Sequence, residues 1–354
     1  MRILTVVGNR PQFIKAAAVS VLLRERHEEI LIHTGQHYDD TLSSVFFNEL
    51  GLARPDRELH IGGGSNTSQT ARMLGALEPL LTDVRPDAVL VYGDTNSTLA
   101  GALAGAQAGF GVIHVEAGMR SFDRTMPEER NRVLSDHLSD LLLCSAESAA
   151  EHLRAESVAG KVEVVGDVMV DVAMRWQPAA RADAETTAAH GVMPGSYLLL
   201  TAHRVGNVDD PERLGALVEL IGALPEPVLF PLHPRTRARL VESGQMASLE
   251  ALPGVIVTEP LGYAEFSALV CQARAVLTDS GGVQKEAYLA GVPCLTLRAN
   301  TEWTETVETG WNTLVGLDTA ATLAALERPH PEQHPQLYGD GHAAERCVAA
   351  IGAM

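Results

Sequence analysis

The alternation of short apolar runs with longer amphipathic stretches is the feature that most constrains how this chain folds. The runs that predict buried strands are Ile3–Val7, Ile30–His33, Ala88–Tyr92, Val112–Val115, Leu141–Cys144, Val162–Val165, Tyr197–Leu200, Val228–Phe230, Val255–Val257, Ala275–Leu277 and Cys294–Leu297. Helical patterns lie between most of them, for example Gln12–Glu25, Thr67–Leu81, Thr98–Ala108 and Pro211–Ala223. This order predicts an α/β fold built on mostly parallel, doubly wound sheets.

The number of strands indicates two domains. Eleven predicted strands are many for one sheet, and 354 residues exceed the usual size of a single domain. We therefore expect two Rossmann-like domains, one formed by residues 1–170 plus 343–354 and the other by 171–342. The hinge is placed near Val168 to Trp176, and the last helix, Ala343 to Ile351, is expected to cross back to the first domain.

Composition excludes several classes of protein. A net charge of −18 argues against a nucleic-acid groove and against an anionic membrane surface. No apolar run approaches the ~20 residues of a membrane span, and the N-terminal run is too short for a signal peptide. The four cysteines are far apart and read as reduced core thiols, so we expect a cytoplasmic protein with no disulfide or zinc site.

Unusual residues gather where predicted strands end, which is where ligands bind in parallel sheets. The strand ending at Leu277 is followed by Ser280-Gly281-Gly282 and then by a helical pattern. The two glycines allow a ligand to approach the backbone, and the first N–H groups of the helix suit a phosphate. Glu286 lies about one turn further on and can reach the hydroxyls of a ribose. A serine-capped turn with a surface glutamate is the alternative.

Cations follow the first strand and a later one. Arg10 and Lys15 suit a diphosphate, although each alone would usually be a solvated surface residue. His203 and Arg204 follow the strand Tyr197–Leu200, and two such groups are costly to bury, so a functional role is favoured.

Carboxylates occupy other strand ends. Asp94 is either catalytic or a helix cap. Strand alternation places His114 and Glu116 on the same side, so Glu116 fits a general acid or base. A metal pair is disfavoured because no third ligand lies at a useful spacing, and an ion pair between Glu116 and Arg120 is the structural alternative. Glu128, like its neighbour Glu129, would by default interact with a helix dipole.

Nine motifs in order along nearly the whole chain carry a family resemblance. They are GNRPQFIK, TGQH, GDTNSTLA, HVEAGMRSF, MPEERNR, TAHR, HPRT, LTDSGGVQKEA and YGDG. Together they resemble the non-hydrolysing UDP-N-acetylglucosamine 2-epimerase family. The resemblance implies a glycosyltransferase-B-like fold with the active site in the interdomain cleft, a homodimer, and no metal or redox cofactor.

The resemblance also implies residue roles. Its catalytic residues would be Asp94, Glu116, Glu128 and His203, and its UDP-binding residues would be Arg10, Lys15, Phe266, Ser280, Gly281, Gly282 and Glu286. Arg204 is an additional candidate. Gln36 and His37 match a pair that some members use to bind a second, activating UDP-GlcNAc. The loop Ile61–Ser65 and Trp303 depart from the family pattern, and the loop predicts weak or absent activation.

The implied reaction is the reversible C2 epimerisation of UDP-GlcNAc to UDP-ManNAc, by loss of UDP and its readdition to a 2-acetamidoglucal. Such reactions serve the biosynthesis of cell-surface polysaccharides. The alternatives are a 2-epimerase acting on UDP-2,3-diacetamido-2,3-dideoxyglucuronate, a hydrolysing epimerase that releases ManNAc, and a glycosyltransferase of the same fold. A UDP-sugar sensor is disfavoured, because a pure anion binder should not place carboxylates at several strand ends.

Overall fold

A computed structural model describes residues 1–36 and 51–354 of the chain. The chain divides into two compact units, one formed by Met1–Met174 with Gln336–Met354 and the other by Arg175–Pro335. The boundaries predicted from the sequence follow residues 170 and 342. Each unit contains one parallel sheet.

The sheet of the first unit has its strands in the order β3-β2-β1-β4-β5-β6-β7. Every neighbouring pair is parallel. The order reverses between β1 and β4, so the carboxyl ends of these two strands flank the point where such sheets bind ligands. The strands are β1 (Arg2–Val7), β2 (Glu28–His33), β3 (Arg57–Glu58), β4 (Ala88–Tyr92), β5 (Gly111–Ala117), β6 (Leu141–Cys144) and β7 (Lys161–Val164).

Helices connect the strands of the first unit. They are α1 (Arg10–Arg26), α2 (Asn66–Val84), α3 (Asn96–Gln107), α4 (Pro127–Leu138) and α5 (Glu147–Ala155), whereas α6 (Val168–Ala182) follows β7 and continues past Met174 into the second unit. One side of the sheet packs on α2, where Val6, Val89 and Val91 meet Met73 and Leu77 in a buried cluster. The predicted hinge, Val168 to Trp176, is helical and belongs to α6, which begins in this unit.

The sheet of the second unit has the order β10-β9-β8-β11-β12-β13, again with parallel pairing. Its strands are β8 (Leu198–Thr201), β9 (Val228–Pro231), β10 (Val255–Thr258), β11 (Ala275–Thr278), β12 (Cys294–Thr296) and β13 (Asn312–Leu314). Its helices are α7 (Ala184–Ala189), α8 (Val205–Val208), α9 (Pro211–Ala223), α10 (Pro234–Glu242), α11 (Met246–Glu250), α12 (Tyr263–Gln272), α13 (Gly281–Leu289), α14 (Thr304–Glu308) and α15 (Thr319–Leu326). The order reverses between β8 and β11. A final helix, α16 (Ala343–Gly352), belongs to the first unit and packs on α1.

The predicted α/β class with parallel, doubly wound sheets is confirmed. Among the residues that the structure describes, two strands were not predicted, because β3 is only two charged residues long and β13 is an edge strand of three residues that begins with Asn312. The four cysteines are buried and form no disulfide. Within residues 1–36 and 51–354, no helix is long and apolar enough to cross a membrane.

Candidate active site

The turn between β1 and α1 places the first pair of predicted cations. Asn9 caps α1 by accepting a hydrogen bond from the Gln12 amide, so the helix begins at Arg10. The buried Gln12 side chain accepts from the Gly8 amide at 2.7 Å and donates to the Tyr92 carbonyl at 2.7 Å. The turn is thereby tied to the end of β4. Lys15 follows on the second turn of α1, and Arg10 is partly exposed.

Lys15 forms an ion pair with Glu116, and the two side chains are only 12% and 9% exposed. Burial opposes the charge on Lys15, but the nearby carboxylates of Glu116, Asp167 and Asp94 together outweigh it, and the pKa of Lys15 is raised. Gly93 leaves room for the pair, since a Cβ there would lie 3.2 Å from Glu116 Oε2 and 3.4 Å from Lys15 Nζ. A charged ammonium thus lies beside a carboxylate at the carboxyl ends of β4 and β5.

Glu116 occupies a β-bulge. Val115 pairs with Leu143 and Ala117 with Cys144, so Glu116 is the extra residue, and its φ of +69° lies in the left-handed region. The alternation argument that placed His114 and Glu116 on one side therefore does not apply here. Strain of this kind in a non-glycine residue concentrates at functional sites.

The structural alternative for Glu116, an ion pair with Arg120, is wrong. Arg120 does not pair with Glu116, because its guanidinium donates to Asp136 and to Glu156, each at 2.7 Å. In the described part of the chain, no three His, Cys, Asp or Glu side chains are grouped so that they could hold a metal ion.

Asp94 follows β4 and pairs with Arg132 of α4. It does not cap α3, and neither does Asn96, since the cap of that helix is Thr95. The Asp94 backbone carbonyl accepts from Asn131 Nδ2 at 3.0 Å. Because the Asp94 side chain remains 33% exposed, its carboxylate is held in place and still accessible.

Two adjacent glutamates on the first turn of α4 differ in burial. Glu129 is buried and accepts hydrogen bonds from the Ser121 and Phe122 amides, both at 2.9 Å, and it lies 3.2 Å from Arg132. Glu128 is partly exposed on the same turn. Arg132 bridges Asp94 and Glu129, a role that is not predicted from the sequence. An arginine three residues after a glutamate on a helix is a pattern that could suggest the Glu129–Arg132 pair.

In the second unit, the loop after β8 is organised by Asp279. Its fully buried carboxylate accepts from the His203 amide at 3.0 Å, the Arg204 amide at 2.9 Å and Asn207 Nδ2 at 3.1 Å. The His203 ring stacks on that of His233 with centroids 5.1 Å apart. Asp279 lies inside the glycine motif, but its role depends on the pairing of β8 with β11, so sequence reasoning missed it.

The glycine motif forms the predicted turn and helix start. Ser280 is the cap of α13, which begins at Gly281. A Cβ on Gly282 would meet only Ser280 Oγ, at 3.9 Å, so this position is open. Glu286 is partly exposed on α13, five residues after its first residue. The first turn of this helix can therefore receive an anion along its backbone.

Trp303 contacts two residues at the start of α13. Its indole Nε1–H donates to the Gly281 carbonyl at 2.9 Å, and Lys285 Nζ lies 3.3 Å from the ring centroid. Phe266, expected near a uracil, is buried in the core between α12 and the sheet. Trp303 thus fixes the backbone of the candidate anion cradle.

The candidate second-ligand residues are described only in part. Gln36 Oε1 accepts from the Ser97 amide at 2.9 Å and from its hydroxyl at 2.7 Å. His37 lies outside the described residues. In the loop Ile61–Ser65, the Gly62 carbonyl accepts from Arg72 at 3.1 Å, and Ser65 caps α2.

The structure thus gathers the predicted residues in two groups. In the first unit, Asp94 and Glu116 lie at strand ends, Arg10 and Lys15 lie on α1, and Glu128 lies on α4. His203, Arg204, Ser280, Gly281 and Gly282 lie at the ends of the neighbouring strands β8 and β11 of the second unit.

Comparison with known proteins identifies this arrangement. Residues 21–352 match the family model of UDP-N-acetylglucosamine 2-epimerase. The chain belongs to this family. The predicted family is therefore confirmed, and the enzyme is an isomerase with a glycosyltransferase-B-like fold.

Individual relatives cover the whole chain. A UDP-N-acetylglucosamine 2-epimerase homolog of Methanococcus maripaludis is 43% identical over 99% of both chains. The UDP-2,3-diacetamido-2,3-dideoxy-D-glucuronate 2-epimerase of Pseudomonas aeruginosa is also 43% identical, over 100% of both. A crystal structure of the Methanocaldococcus jannaschii UDP-GlcNAc 2-epimerase in complex with UDP-GlcNAc and UDP superposes with a TM-score of 0.94, at 40% identity and over 100% of both chains.

Proposed function

We propose that this enzyme reversibly converts UDP-GlcNAc to UDP-ManNAc without hydrolysing the nucleotide sugar. The observation that carries the proposal is that each unit groups predicted residues at the carboxyl ends of its own strands. One unit presents the Lys15–Glu116 and Asp94–Arg132 ion pairs at strand ends. The other presents a helix start with an open glycine backbone. The chemistry of a nucleotide sugar needs both a set of carboxylates and a cradle for its diphosphate.

The position of the reacting proton determines the route. The C2 proton of the sugar is not next to a carbonyl and is not acidic, so direct deprotonation is implausible. Departure of UDP from C1 gives the sugar oxocarbenium character, which acidifies the C2–H bond. Loss of that proton leaves UDP and a 2-acetamidoglucal. Readdition of UDP, with protonation on the opposite face of C2, gives the manno epimer.

One set of residues is proposed to bind the nucleotide. The helix start at Ser280, Gly281 and Gly282 stabilises the leaving diphosphate, and Glu286 binds the ribose hydroxyls. Arg10 and Lys15 add positive charge. Phe266 is only 4% exposed, so its contact with the uracil would be limited.

Four groups serve the sugar. Asp94, Glu116, Glu128 and His203 stabilise its positive charge and move the proton. More than one acid or base is needed because the two faces of C2 differ. Lys15 and Arg132 also offset the repulsion between the carboxylates and the diphosphate.

A second substrate is favoured by one observation. The Pseudomonas aeruginosa relative named for the diacetamido-glucuronate substrate is as identical to the chain, at 43%, as the Methanococcus maripaludis homolog. That substrate would carry the same C2 chemistry on the same nucleotide. Relative kcat/KM values for the two UDP-sugars decide between them.

Incubation with a UDP-sugar alone tests the proposal. We expect UDP-ManNAc as the new product from UDP-GlcNAc, with no acceptor or metal added. Free ManNAc with UDP would instead indicate a hydrolysing enzyme, and an unchanged substrate that reacts only with an acceptor would indicate a glycosyltransferase.

The assembly and setting of the enzyme are further parts of the proposal. We expect a cytoplasmic homodimer that supplies cell-surface polysaccharide synthesis, and light scattering should give twice the chain mass of 37.8 kDa. We also expect little activation by a second UDP-GlcNAc. A reverse reaction from UDP-ManNAc that makes no progress until UDP-GlcNAc is added would contradict this.

A further inference from the structure

His114, in the middle of β5, has both ring nitrogens engaged by oxygen atoms. The side chain is fully buried. Its Nδ1 lies 2.7 Å from Asp136 Oδ1, and its Nε2 lies 2.7 Å from the carbonyl oxygen of Gly93. A backbone carbonyl can only accept a hydrogen bond, so Nε2 carries a proton.

Asp136 is an ionised acceptor. Besides His114 it receives Arg120 Nη1 at 2.7 Å and the Gly118 amide at 3.2 Å. The Arg120 guanidinium and the Gly118 amide stabilise the charged form of Asp136 independently of His114, and the pKa of Asp136 lies below its ordinary value. Since an ionised carboxylate donates nothing, Nδ1 of His114 also carries a proton. The ring is then an imidazolium that donates from both sides.

The His114–Asp136 pair forms hydrogen bonds with one backbone group next to Asp94 and another close to Glu116. Gly93, whose carbonyl His114 holds, immediately precedes Asp94. Gly118, whose amide Asp136 holds, lies two residues after Glu116. Glu116 itself occupies the bulge with a φ of +69°. A single buried pair therefore fixes the segments that present both Asp94 and Glu116.

The surroundings allow a buried charge here. Arg120 links Asp136 to Glu156, whose oxygens accept from Nε and Nη2 at 2.7 Å each. The imidazolium and the guanidinium face the two carboxylates, and His137 lies beside the same network, with its Nε2 3.3 Å from Glu156. A buried ion network is tolerated when each member is paired and hydrogen-bonded.

We propose that His114 is a buried imidazolium and that His114 and Asp136 form a positioning pair for Asp94 and Glu116. The pair acts through the backbone and touches no substrate atom. Its effect on turnover rests on the proposed function, whereas the protonation of His114 does not.

Nitrogen-15 NMR of the wild-type protein labelled at histidine tests the protonation. At pH 7.5 we expect two ring N–H signals from His114, both slow to exchange with solvent and both absent in a His114→Gln sample. A single N–H signal, with the other nitrogen unprotonated, would overturn the proposal. This result is independent of whether the enzyme turns over any UDP-sugar.

Kinetics of Asp136→Asn test the positioning role. The amide keeps the shape of the side chain but removes its charge and one acceptor. We expect kcat to fall about tenfold to a hundredfold, because small misplacements of reacting groups are that costly, while KM and the Kd for UDP stay within about twofold. The matched control is Asp140→Asn, since Asp140 accepts from the Val112 amide at 2.9 Å near the other end of β5, and its kcat should be unchanged.

Two results would overturn the positioning role. One is wild-type kcat in Asp136→Asn, and the other is an equal loss of kcat in Asp136→Asn and Asp140→Asn. If Asp136→Asn does not fold, the NMR measurement on the wild-type protein still decides the protonation. Absence of epimerisation by the wild-type enzyme would refute the proposed function and leave that measurement unaffected.

Discussion

The two adjacent glycines at the start of α13 should respond differently to alanine. A Cβ on Gly281 would overlap the carboxylate oxygen of Glu302 and lie 3.2 Å from its Cδ, whereas a Cβ on Gly282 has its nearest neighbour, Ser280 Oγ, at 3.9 Å. Glu302 is 7% exposed and pairs with Arg298 at 2.9 Å, so it has little room to withdraw. The first substitution should therefore disturb the fold and the second should not.

The expected changes in stability and in UDP affinity follow from these distances. In Gly281→Ala the carboxylate must shift by about 1 Å, and overpacking of this kind costs about 2 kcal/mol. For a unit of this size, that lowers Tm by about 4 to 8 °C. Gly282→Ala fits without strain and improves helix propensity, so its Tm should stay equal or rise, by up to about 1 kcal/mol of stability. Its methyl group would nevertheless stand where a diphosphate approaches, and we expect about tenfold weaker UDP binding, or about 1.4 kcal/mol.

Calorimetry measures both effects. Thermal scans of the wild-type enzyme and the two variants give the stabilities, and titration with UDP gives the affinities. Equal melting of both variants would refute the packing argument at Gly281. Wild-type affinity for UDP in Gly282→Ala would refute the assignment of this helix start as the diphosphate cradle.

Three further predictions concern charge and burial. Lys15→Met leaves Glu116 without the Lys15 ammonium, so kcat should fall at least about a hundredfold, and steady-state rates near those of the wild type would contradict this. Because the pKa of Asp136 lies below its ordinary value of 3.8, its stabilisation is present above that pH and is lost as the pH falls through the lowered pKa. The wild-type Tm should thus fall more steeply than that of Asp136→Asn below pH 4, and parallel curves would argue against it. Burial raises the pKa of Cys144 and Cys294 to about 12, so a thiol reagent at pH 8 should label neither in the native protein and both after unfolding; rapid native labelling would exclude this.

The fold was predictable because its buried parallel strands are continuous apolar runs. β4 and β6 have the predicted bounds, since both faces of each strand are buried and polar residues flank them. The edge strands β3 and β13 lack such runs. Only the tertiary structure shows that they pair with β2 and β12.

The site was predictable only where its chemistry is local. The start of α13 follows from consecutive residues, so the motif itself predicts it. The Lys15–Glu116 pair joins residues far apart in sequence, and the bulge at Glu116 is visible only in the register of β5 with β6. The same holds for Asp279, whose partners follow the neighbouring strand β8.

Proton NMR of the enzyme with UDP-GlcNAc in deuterium oxide tests the central claim most directly. The enzyme removes the C2 proton, and C2 then receives a new one from the solvent. Deuterium should therefore enter C2 as a manno anomeric signal appears, with the nucleotide sugar retained. A manno product whose C2 carries no deuterium would contradict elimination and readdition.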